Sequence, residues 1–318
     1  MISDISMDAT VSYRKQWLTQ RDKLEKQRFG RLSPRDVEKG RVGPIDYFLP
    51  GATFGLKLAN LYQRGRANAQ DIQVEEHELF FAELPDAFDG YRILHLTDLH
   101  IDSLPGIEDA ISQRVAPLHY DVCVLTGDYR FRAFGSYGTE VSLPMQQIMS
   151  QVYARDGIYA TLGNHDTHEA VEMLEEMNIQ VLANEHVTLR RDSAHITLTG
   201  IDDPHYYYTP RAVKALQQSE PGFKIALVHS PELYQEAAAH QYNLYLCGHT
   251  HGGQICLPTG TPILKNLQKG HHLVQGLWHE QQMVGYTSRG CGVSGIPVRF
   301  FSRGEITVFT LRKNRMIR

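Results

Sequence analysis

Short apolar runs separated by polar or glycine-containing segments recur along the chain from residue 71 onward. Each run is five to eight residues long, and most are nearly all apolar, which is typical of strands buried in a sheet. They predict strands at residues 73–80, 92–97, 121–126, 158–162, 179–183, 195–200, 224–228, 243–247, 283–288 and 305–311. Between them, helical spacing of apolar residues predicts helices at residues 106–118, 143–155, 168–177, 209–218 and 231–240. This alternation of strands and helices predicts an α/β fold.

Five of the predicted strands are followed directly by Asp, Asn or His residues. These polar segments are Asp98-Leu99-His100, Gly127-Asp128, Gly163-Asn164-His165-Asp166, His229 and Gly248-His249-Thr250-His251. Ligand sites of open α/β sheets lie at the carboxyl ends of the strands, so we expect these side chains to converge there. Carboxylate, amide and imidazole groups are common ligands of divalent metals. The pattern therefore predicts a metal site at the ends of the strands.

The segment Gly248-His249-Thr250-His251-Gly252-Gly253-Gln254 is the most informative of the five. Two imidazoles two residues apart on an irregular turn can face two different ions. The glycines allow the backbone to bend sharply and to approach the ions closely. Taken by itself, a His-Thr-His pair is equally compatible with one face of a strand, so its interpretation depends on the other four segments.

Together the five ordered segments resemble the calcineurin-like metallophosphoesterase superfamily over about residues 73–312. The resemblance implies a fold of two packed mixed β-sheets flanked by helices, with residues 71–318 as the catalytic domain. It also implies a binuclear metal centre that hydrolyses phosphoester or pyrophosphate bonds. The tail at residues 288–300 resembles a bacterial branch described as membrane-associated phosphoesterases. Members of related branches cleave the pyrophosphate of UDP-diacylglucosamine, which makes a lipid-linked or sugar-nucleotide substrate a candidate.

The resemblance also implies a role for each polar residue. Asp98, His100 and His251 would bind the first ion, and Asn164, His229 and His249 would bind the second. Asp128 would bridge the two ions, and His165 would act near the leaving group as a hydrogen-bond or proton donor. A ligand set without thiolate favours Mn, with Fe or Zn as alternatives, over a structural zinc site of the cysteine type.

The chain departs from the family pattern at Phe131. Many members carry an Asp three residues after the Gly-Asp aspartate, and that Asp orients the catalytic histidine. Phe131 cannot do so; either Asp166 or Asp102 replaces the missing aspartate in orienting His165, or His165 is held less rigidly. Two neighbouring cations, Arg130 and Arg132, are candidate phosphate contacts because a guanidinium matches phosphate oxygens; exposed loop charges are the alternative.

Residues 1–70 differ from the rest and are predicted to form a helical, basic and amphipathic extension. Between Val11 and Arg35 there are eight Lys or Arg and two Asp or Glu residues. Aromatic residues such as Trp17 and Phe29 are interleaved with them. Farther along, Phe54, Leu58, Leu61 and Tyr62 recur at helical spacing. One interpretation is a helix packed on the catalytic domain or on a second subunit; the other is a peripheral contact with an anionic membrane surface.

Composition limits the remaining classes of function. The net charge of −4 and the absence of a basic stripe in the catalytic region argue against nucleic acid as a partner and against a nuclease. Four scattered cysteines suggest buried thiols in a reducing compartment, and we expect a cytoplasmic protein that lies, in the second interpretation, at the inner face of the membrane. No signal peptide or membrane span is predicted. A protein phosphatase of the same superfamily and a metal-free scaffold remain alternatives, and the oligomeric state is left open.

Overall fold

A computed structural model of the protein describes residues 3–33, 43–133 and 137–314. Arg35, the last of the basic residues counted above, lies outside the described residues. The α-helices are α1 (Ser3–Phe29), α2 (Leu49–Leu58), α3 (Tyr62–Gln70), α4 (Ile107–Val115), α5 (Thr139–Met149), α6 (Ala170–Glu176), α7 (Pro210–Gln217) and α8 (Tyr234–Ala239). Short 3₁₀ turns span Pro44–Tyr47, Asp86–Phe88, Pro231–Leu233 and His251–Gly253.

Twelve strands in the described residues form two mixed sheets of six. The strands are β1 (Gln73–Phe81), β2 (Arg92–Leu96), β3 (Val122–Leu125), β4 (Ile158–Ala160), β5 (Gln180–Val181), β6 (Glu185–Arg191), β7 (Ala194–Ile201), β8 (Phe223–Val228), β9 (Leu244–Cys247), β10 (Gly276–Glu280), β11 (Met283–Thr287) and β12 (Glu305–Lys313). The first sheet has the order β1-β12-β2-β3-β4-β5, and the second has the order β10-β11-β9-β8-β7-β6. In the first sheet β12 runs antiparallel to β2, while β2, β3, β4 and β5 are parallel.

The core is arranged in layers because the central strands are apolar on both faces. On β3, Val122 and Val124 pack in the core between the two sheets, whereas Cys123 and Leu125 pack against the helices outside. The helices on the first sheet include α1, α4, α5 and α6, and α7 and α8 cover the second sheet. This confirms the predicted fold class of two packed mixed sheets flanked by helices. All four cysteines are free and buried, as expected from the sequence.

Every predicted strand is present, but two strands are missing from the sequence-based prediction. These are β6 and β10, which lie at opposite edges of the second sheet. An edge strand needs no continuous apolar run, and both sequences alternate with polar residues. The helix predicted at 143–155 was also misplaced: it is α5, Thr139–Met149, with Pro144 inside it.

The two halves of the N-terminal extension have different surroundings. Trp17 of α1 is 2% exposed and belongs to the core on the first sheet, as the packing interpretation expects. Residues on and around α2 are exposed instead, including Phe48 at 74%, Phe54 at 68% and Leu58 at 76%. None of the helices in the described part of the chain combines the length and apolar character needed to cross a bilayer.

Candidate metal centre

The polar segments that follow five strands meet where the two sheets come together. Backbone hydrogen bonds join the loops within each sheet, such as Asp98 N to Gly127 O at 2.9 Å and Gly248 N to His229 O at 2.8 Å. A hydrogen bond from His229 Nδ1 to Thr126 O, 2.7 Å, joins the two sheets. The seven side chains predicted to bind metal are all buried: Asp98, His100, Asp128, Asn164, His229, His249 and His251.

The first group of ligand atoms comes from Asp98, His100 and His251. Their ligand atoms all lie within 4.8 Å of one another. The two Nε2 atoms of His100 and His251 are 3.1 Å apart, and His251 Nε2 is 3.4 Å from Asp98 Oδ1. The structure therefore brings together the three residues expected at the first ion.

The second group comes from Asp128, His229 and His249, again within 4.8 Å of one another. Asn164 joins this group through its side-chain oxygen, which is 2.7 Å from His249 Nδ1 and 3.0 Å from His229 Nε2. All residues expected at the second ion are thus in one place.

Asp128 lies between the two groups. Its Oδ2 atom is 3.3 Å from His229 Nε2 and 3.5 Å from His100 Nε2. The same carboxylate accepts a hydrogen bond from the backbone NH of His165 through Oδ1, at 2.7 Å. One oxygen of Asp128 is therefore close to both groups while the other is held by the loop that carries His165.

Most of these residues adopt a backbone conformation that is unusual for residues other than glycine. Five of the seven have positive φ: Asp98 (50°), His100 (39°), Asp128 (58°), His249 (72°) and His251 (52°). Such residues are found disproportionately at functional sites because the surrounding structure must stabilise them.

The glycine before the His-Thr-His segment is required by close packing. A Cβ atom on Gly248 would lie 2.1 Å from Asp98 Oδ2 and 2.4 Å from Thr97 Oγ1. Any larger residue would therefore displace a predicted ligand. This is a close approach of backbone to a site, which is a common reason for glycine.

Second partners orient two of the imidazoles. His100 Nδ1 donates to the backbone oxygen of Arg130 at 2.8 Å, and His229 Nδ1 donates to Thr126 O at 2.7 Å. These bonds direct Nε2 of each ring toward the centre. Histidine ligands of metals are commonly fixed in this way.

The charge states of the ligand side chains are suited to binding divalent cations. Burial lowers the pKa of His100 to about 4 and lowers those of His249 and His251 well below the usual value, so these rings remain neutral. Burial, which disfavours the charged form, also raises the pKa of Asp98 to about 7, and the nearby carboxylate of Asp128 adds to this increase. At His229 burial opposes a charge, but the carboxylates of Asp128 and Asp98 outweigh it and raise the pKa to about 10. The centre thus favours a positive charge, and its converging nitrogen and oxygen atoms are ligands suited to divalent metals.

His165 lies beside the centre and is held by backbone atoms. Its ring centroid is 4.9 Å from that of His100, and its Nδ1 donates to the backbone oxygen of Phe131. The Phe131 ring stacks on it at 6.0 Å. The residue that departs from the family pattern therefore orients His165 after all, through its main-chain carbonyl.

The two proposed replacements for the missing aspartate have other partners. The Asp166 carboxylate accepts hydrogen bonds from the backbone NH groups of Asp128, Tyr129 and Gly163, at 2.7, 3.0 and 2.8 Å. Asp102 accepts from the backbone NH of Phe131 and so acts one peptide away from His165. Neither carboxylate bonds to the imidazole directly, because the Phe131 carbonyl occupies Nδ1.

The two candidate phosphate contacts differ in position. Arg130 is 1% exposed, and its guanidinium donates to His165 O at 3.3 Å and to Thr167 Oγ1 at 3.2 Å. In this position it stabilises the loop instead of contacting a phosphate. Arg132 is exposed and stays a candidate.

Two buried residues next to the centre were missed by the sequence analysis. Arg299 donates to the backbone oxygen of His251 at 3.1 Å and to that of Gly292 at 2.7 Å. The His205 ring lies 4.4 Å from that of His249 in a tilted arrangement, and its Nδ1 bonds to Glu232 at 2.8 Å. His205 belongs to none of the five segments and Arg299 lies in the tail at 288–300, so the place of each beside the centre emerges only from the tertiary fold.

Comparisons with known proteins agree with this centre. The sequence model of the family described as calcineurin-like phosphoesterase matches residues 91–253, which carry all seven predicted ligands and His165. An uncharacterized metallophosphoesterase, YkoQ, from Bacillus subtilis is 29% identical over 78% of this chain and 93% of its own length. The phosphodiesterase YaeI from Escherichia coli is 28% identical over 76% of this chain and 88% of its own length.

Among solved structures, the sulfate thiohydrolase SoxB in complex with glycerol, from a Thermus species, matches with a TM-score of 0.42 and 10% sequence identity. The match covers 72% of this chain and 57% of the SoxB chain. At this level of similarity no inference about function is drawn from it.

Proposed function

The chain belongs to the calcineurin-like phosphoesterase family and is a phosphoester hydrolase, and from this premise we propose that it cleaves phosphodiesters at a centre of two divalent cations. The observation that carries the proposal is the position of Asp128, whose Oδ2 atom lies 3.3 Å and 3.5 Å from a histidine of each ligand group. A shared carboxylate of this kind is what a pair of ions requires. Phosphodiesters are preferred over monoesters because the relative YaeI is named a phosphodiesterase.

In this proposal the protein residues divide the work. Asp98, His100 and His251 hold one cation, Asn164, His229 and His249 hold the other, and Asp128 bridges them. Two divalent cations would neutralise charge on the phosphoryl oxygens and supply an activated water molecule. Manganese is our first choice of metal, with iron or zinc as alternatives, because the ligands are carboxylate, amide and imidazole.

In this proposal His165 acts as the proton donor. Since Nδ1–H is engaged by the Phe131 carbonyl, Nε2 is the atom that can face the leaving group, and it donates to the leaving-group oxygen when the ring carries a second proton. Asp102 supports this geometry through the NH of Phe131. A side-chain carboxylate is therefore not needed to fix the imidazole tautomer.

A substrate panel tests this function. The full-length protein loaded with Mn²⁺ is assayed on bis(p-nitrophenyl) phosphate, p-nitrophenyl phosphate and a UDP-sugar. We expect the diester to give the highest kcat/KM and the Asp128→Asn variant to be inactive on all three. A preference for the monoester would contradict the diester assignment, and a preference for the UDP-sugar would transfer it to pyrophosphates such as UDP-diacylglucosamine.

We further propose that residues 47–70, which include α2, contact an anionic surface at the inner face of a membrane. From Tyr47 to Gln70 there is no Asp or Glu, but there are three basic residues, Lys57, Arg64 and Arg66. The exposed apolar residues of this segment, Phe48, Phe54 and Leu58, fit the interface of a bilayer, and each nearby cation contributes about 1 kcal/mol. Trp17, first considered for such a contact, is excluded because it is buried.

The membrane-facing segment is connected to the metal centre. Arg299 donates its backbone NH to Gly65 O of α3 at 2.9 Å, and its side chain donates to His251 O at 3.1 Å. One buried residue thus links α3, the helix after α2, to the loop of a predicted ligand, which supports a lipid-linked substrate.

Sedimentation with anionic vesicles tests the contact. We expect binding at low salt that decreases as salt rises, because exposed charges are screened beyond about 8–10 Å. The double variant Phe48→Ser/Phe54→Ser should bind weakly. Tyr153→Ser, which alters a residue 81% exposed after α5, is the control and should bind normally. Equal binding by all three proteins, or no binding by the wild type, would contradict the contact.

A further inference from the structure

The loop that supplies Asn164 and His165 is held from outside the family domain by α1. Arg21 of α1 is 1% exposed, and its NH2 group donates to Gly163 O at 3.2 Å and to Asp166 O at 2.7 Å. Arg28, two turns later, donates through NH1 to Asn164 O at 2.5 Å. The fourth carbonyl of the loop, that of His165, accepts from Arg130 Nε at 3.3 Å. Three arginines therefore bind all four carbonyl oxygens of residues 163–166.

The two arginines of α1 are themselves fixed. Arg21 Nε donates to Glu25 at 2.9 Å, its NH1 group pairs with Asp202, and its guanidinium lies 3.4 Å from the centroid of the Tyr207 ring. Arg28 donates to Tyr207 Oη at 3.0 Å and stacks over Tyr206 at 3.8 Å. These contacts restrict both guanidinium groups, so α1 helps to define the positions of the loop carbonyls that they bind.

Glu25, an acidic residue of the same helix, binds the end of the loop. Glu25 accepts from the backbone NH of His168 at 2.8 Å and pairs with His168 Nδ1 at 2.7 Å. Residues of α1 thus bind Gly163, Asn164, Asp166 and His168 of this segment. An irregular buried loop needs partners for its carbonyl groups, and here a helix distant in sequence supplies them.

We infer that Arg21 and Arg28 are positioning residues, which set the place of Asn164 at the second ion and of His165 beside the first. The inference rests on the proposed function, since it concerns the same centre. The physical reason is that Asn164 Oδ1 must stay 2.7 Å from His249 Nδ1 and 3.0 Å from His229 Nε2 to share one ion with them. Partners that orient metal ligands change metal affinity by about 10–100-fold when removed. The matched family region begins at residue 91, so α1 lies outside it.

Metal binding by full-length variants tests the inference. Arg28→Gln removes the donor to Asn164 O without leaving a carboxylate unpaired, and Arg21→Lys keeps the charge but cannot reach both carbonyls. Arg14→Gln is the matched control. Arg14 is another arginine of α1, and it binds Glu185 and Val181 O, both at 2.9 Å, with no contact to residues 163–166.

Mn²⁺ affinity is measured on metal-free protein by competition with a chelator, together with kcat and KM. We expect wild type and Arg14→Gln to bind two ions alike. Arg28→Gln should bind one of them about 10–100-fold more weakly, with a loss in kcat larger than the change in KM. Arg21→Lys should show the same defect in metal binding when it is measured at a temperature at which the variant is folded.

Two results would overturn the inference. One is unchanged binding of both ions in Arg28→Gln and Arg21→Lys. The other is an equal loss in Arg14→Gln, which would show that α1 acts only through general stability. If wild type itself binds fewer than two divalent ions, the proposed function fails instead, so the two failures can be distinguished.

Discussion

Five of the residues predicted to bind metal adopt left-handed backbone conformations, and this strain is characteristic of the centre at the scale of single residues. Positions of this kind cost of the order of 1–3 kcal/mol each. Backbone bonds between loops stabilise them, such as His100 N to Asp128 O at 3.1 Å. Because of this backbone conformation, residues that are close in sequence can direct their side chains toward the same centre.

The first prediction concerns the shared carboxylate. Asp128→Asn keeps the size of the side chain and tolerates positive φ, but removes the charge between the two groups. We expect it to lose tight binding of both ions and nearly all activity. Metal content after gel filtration measures this, with Asp192→Asn as control, since Asp192 also has positive φ (52°) and is exposed. Two bound ions and normal turnover would refute the bridging role.

The second prediction separates chemistry from ligation. His165→Gln should retain both ions while turnover decreases by about 10²–10⁴-fold, the range for a proton donor. His165 belongs to neither group of converging ligand atoms, so it is not among the predicted ligands. Parallel metal analysis and steady-state kinetics are the measurements, and His186→Gln, an exposed histidine, is the control. Loss of metal together with rate would make His165 a ligand.

At the scale of elements, the N-terminal helices have two separate functions in our interpretation. The helix α1 is part of the folded domain, because Trp17 is buried and its Nε1 donates to Asp202 Oδ2 at 2.8 Å. In contrast, α2 has no buried residue. The basic residues of the two helices therefore have different roles. Several arginines of α1 bind carbonyls and carboxylates of the domain, whereas Lys57, the basic residue of α2, is exposed.

The third prediction follows from that contrast. Trp17→Ala removes a large buried side chain and leaves a cavity, so the free energy of unfolding should decrease by about 3–5 kcal/mol. The control Phe54→Ala alters a residue that is 68% exposed and should stay within about 0.5 kcal/mol of wild type. Urea denaturation measures both. A small change for Trp17→Ala would show that α1 is only loosely attached.

At the scale of the whole molecule, the centre is formed jointly by the two sheets. Loops after β2, β3 and β4 supply Asp98, His100, Asp128 and Asn164, and loops after β8 and β9 supply the rest. Binding of ions at this position therefore joins the two halves of the sandwich.

The fourth prediction is that metal removal destabilises the entire domain. A ligand present at 100 times its Kd adds about 2.7 kcal/mol to stability, so dialysis against a chelator should lower the Tm and abolish activity. Adding Mn²⁺ should restore both. The Asp128→Asn variant should show little change in Tm on chelation. An unchanged Tm for the wild type would indicate that the ions do not bind the folded protein tightly.

The sequence by itself determined the central strands and the residues of the centre, because local patterns of apolar and polar residues specify both. Apolar runs predicted the central strands, and the polar residues after five of them named the groups that meet at the centre. The tertiary structure alone decided features that depend on residues far apart in the chain. The edge strands β6 and β10 exist because neighbours pair with them. The Phe131 carbonyl replaces a side chain that sequence comparison treats as missing, since a motif describes side chains and not backbone direction. Arg21 and Arg28 bind the loop at 163–166 only because α1 packs there, and no local pattern distinguishes them from the exposed basic residues of the same helix.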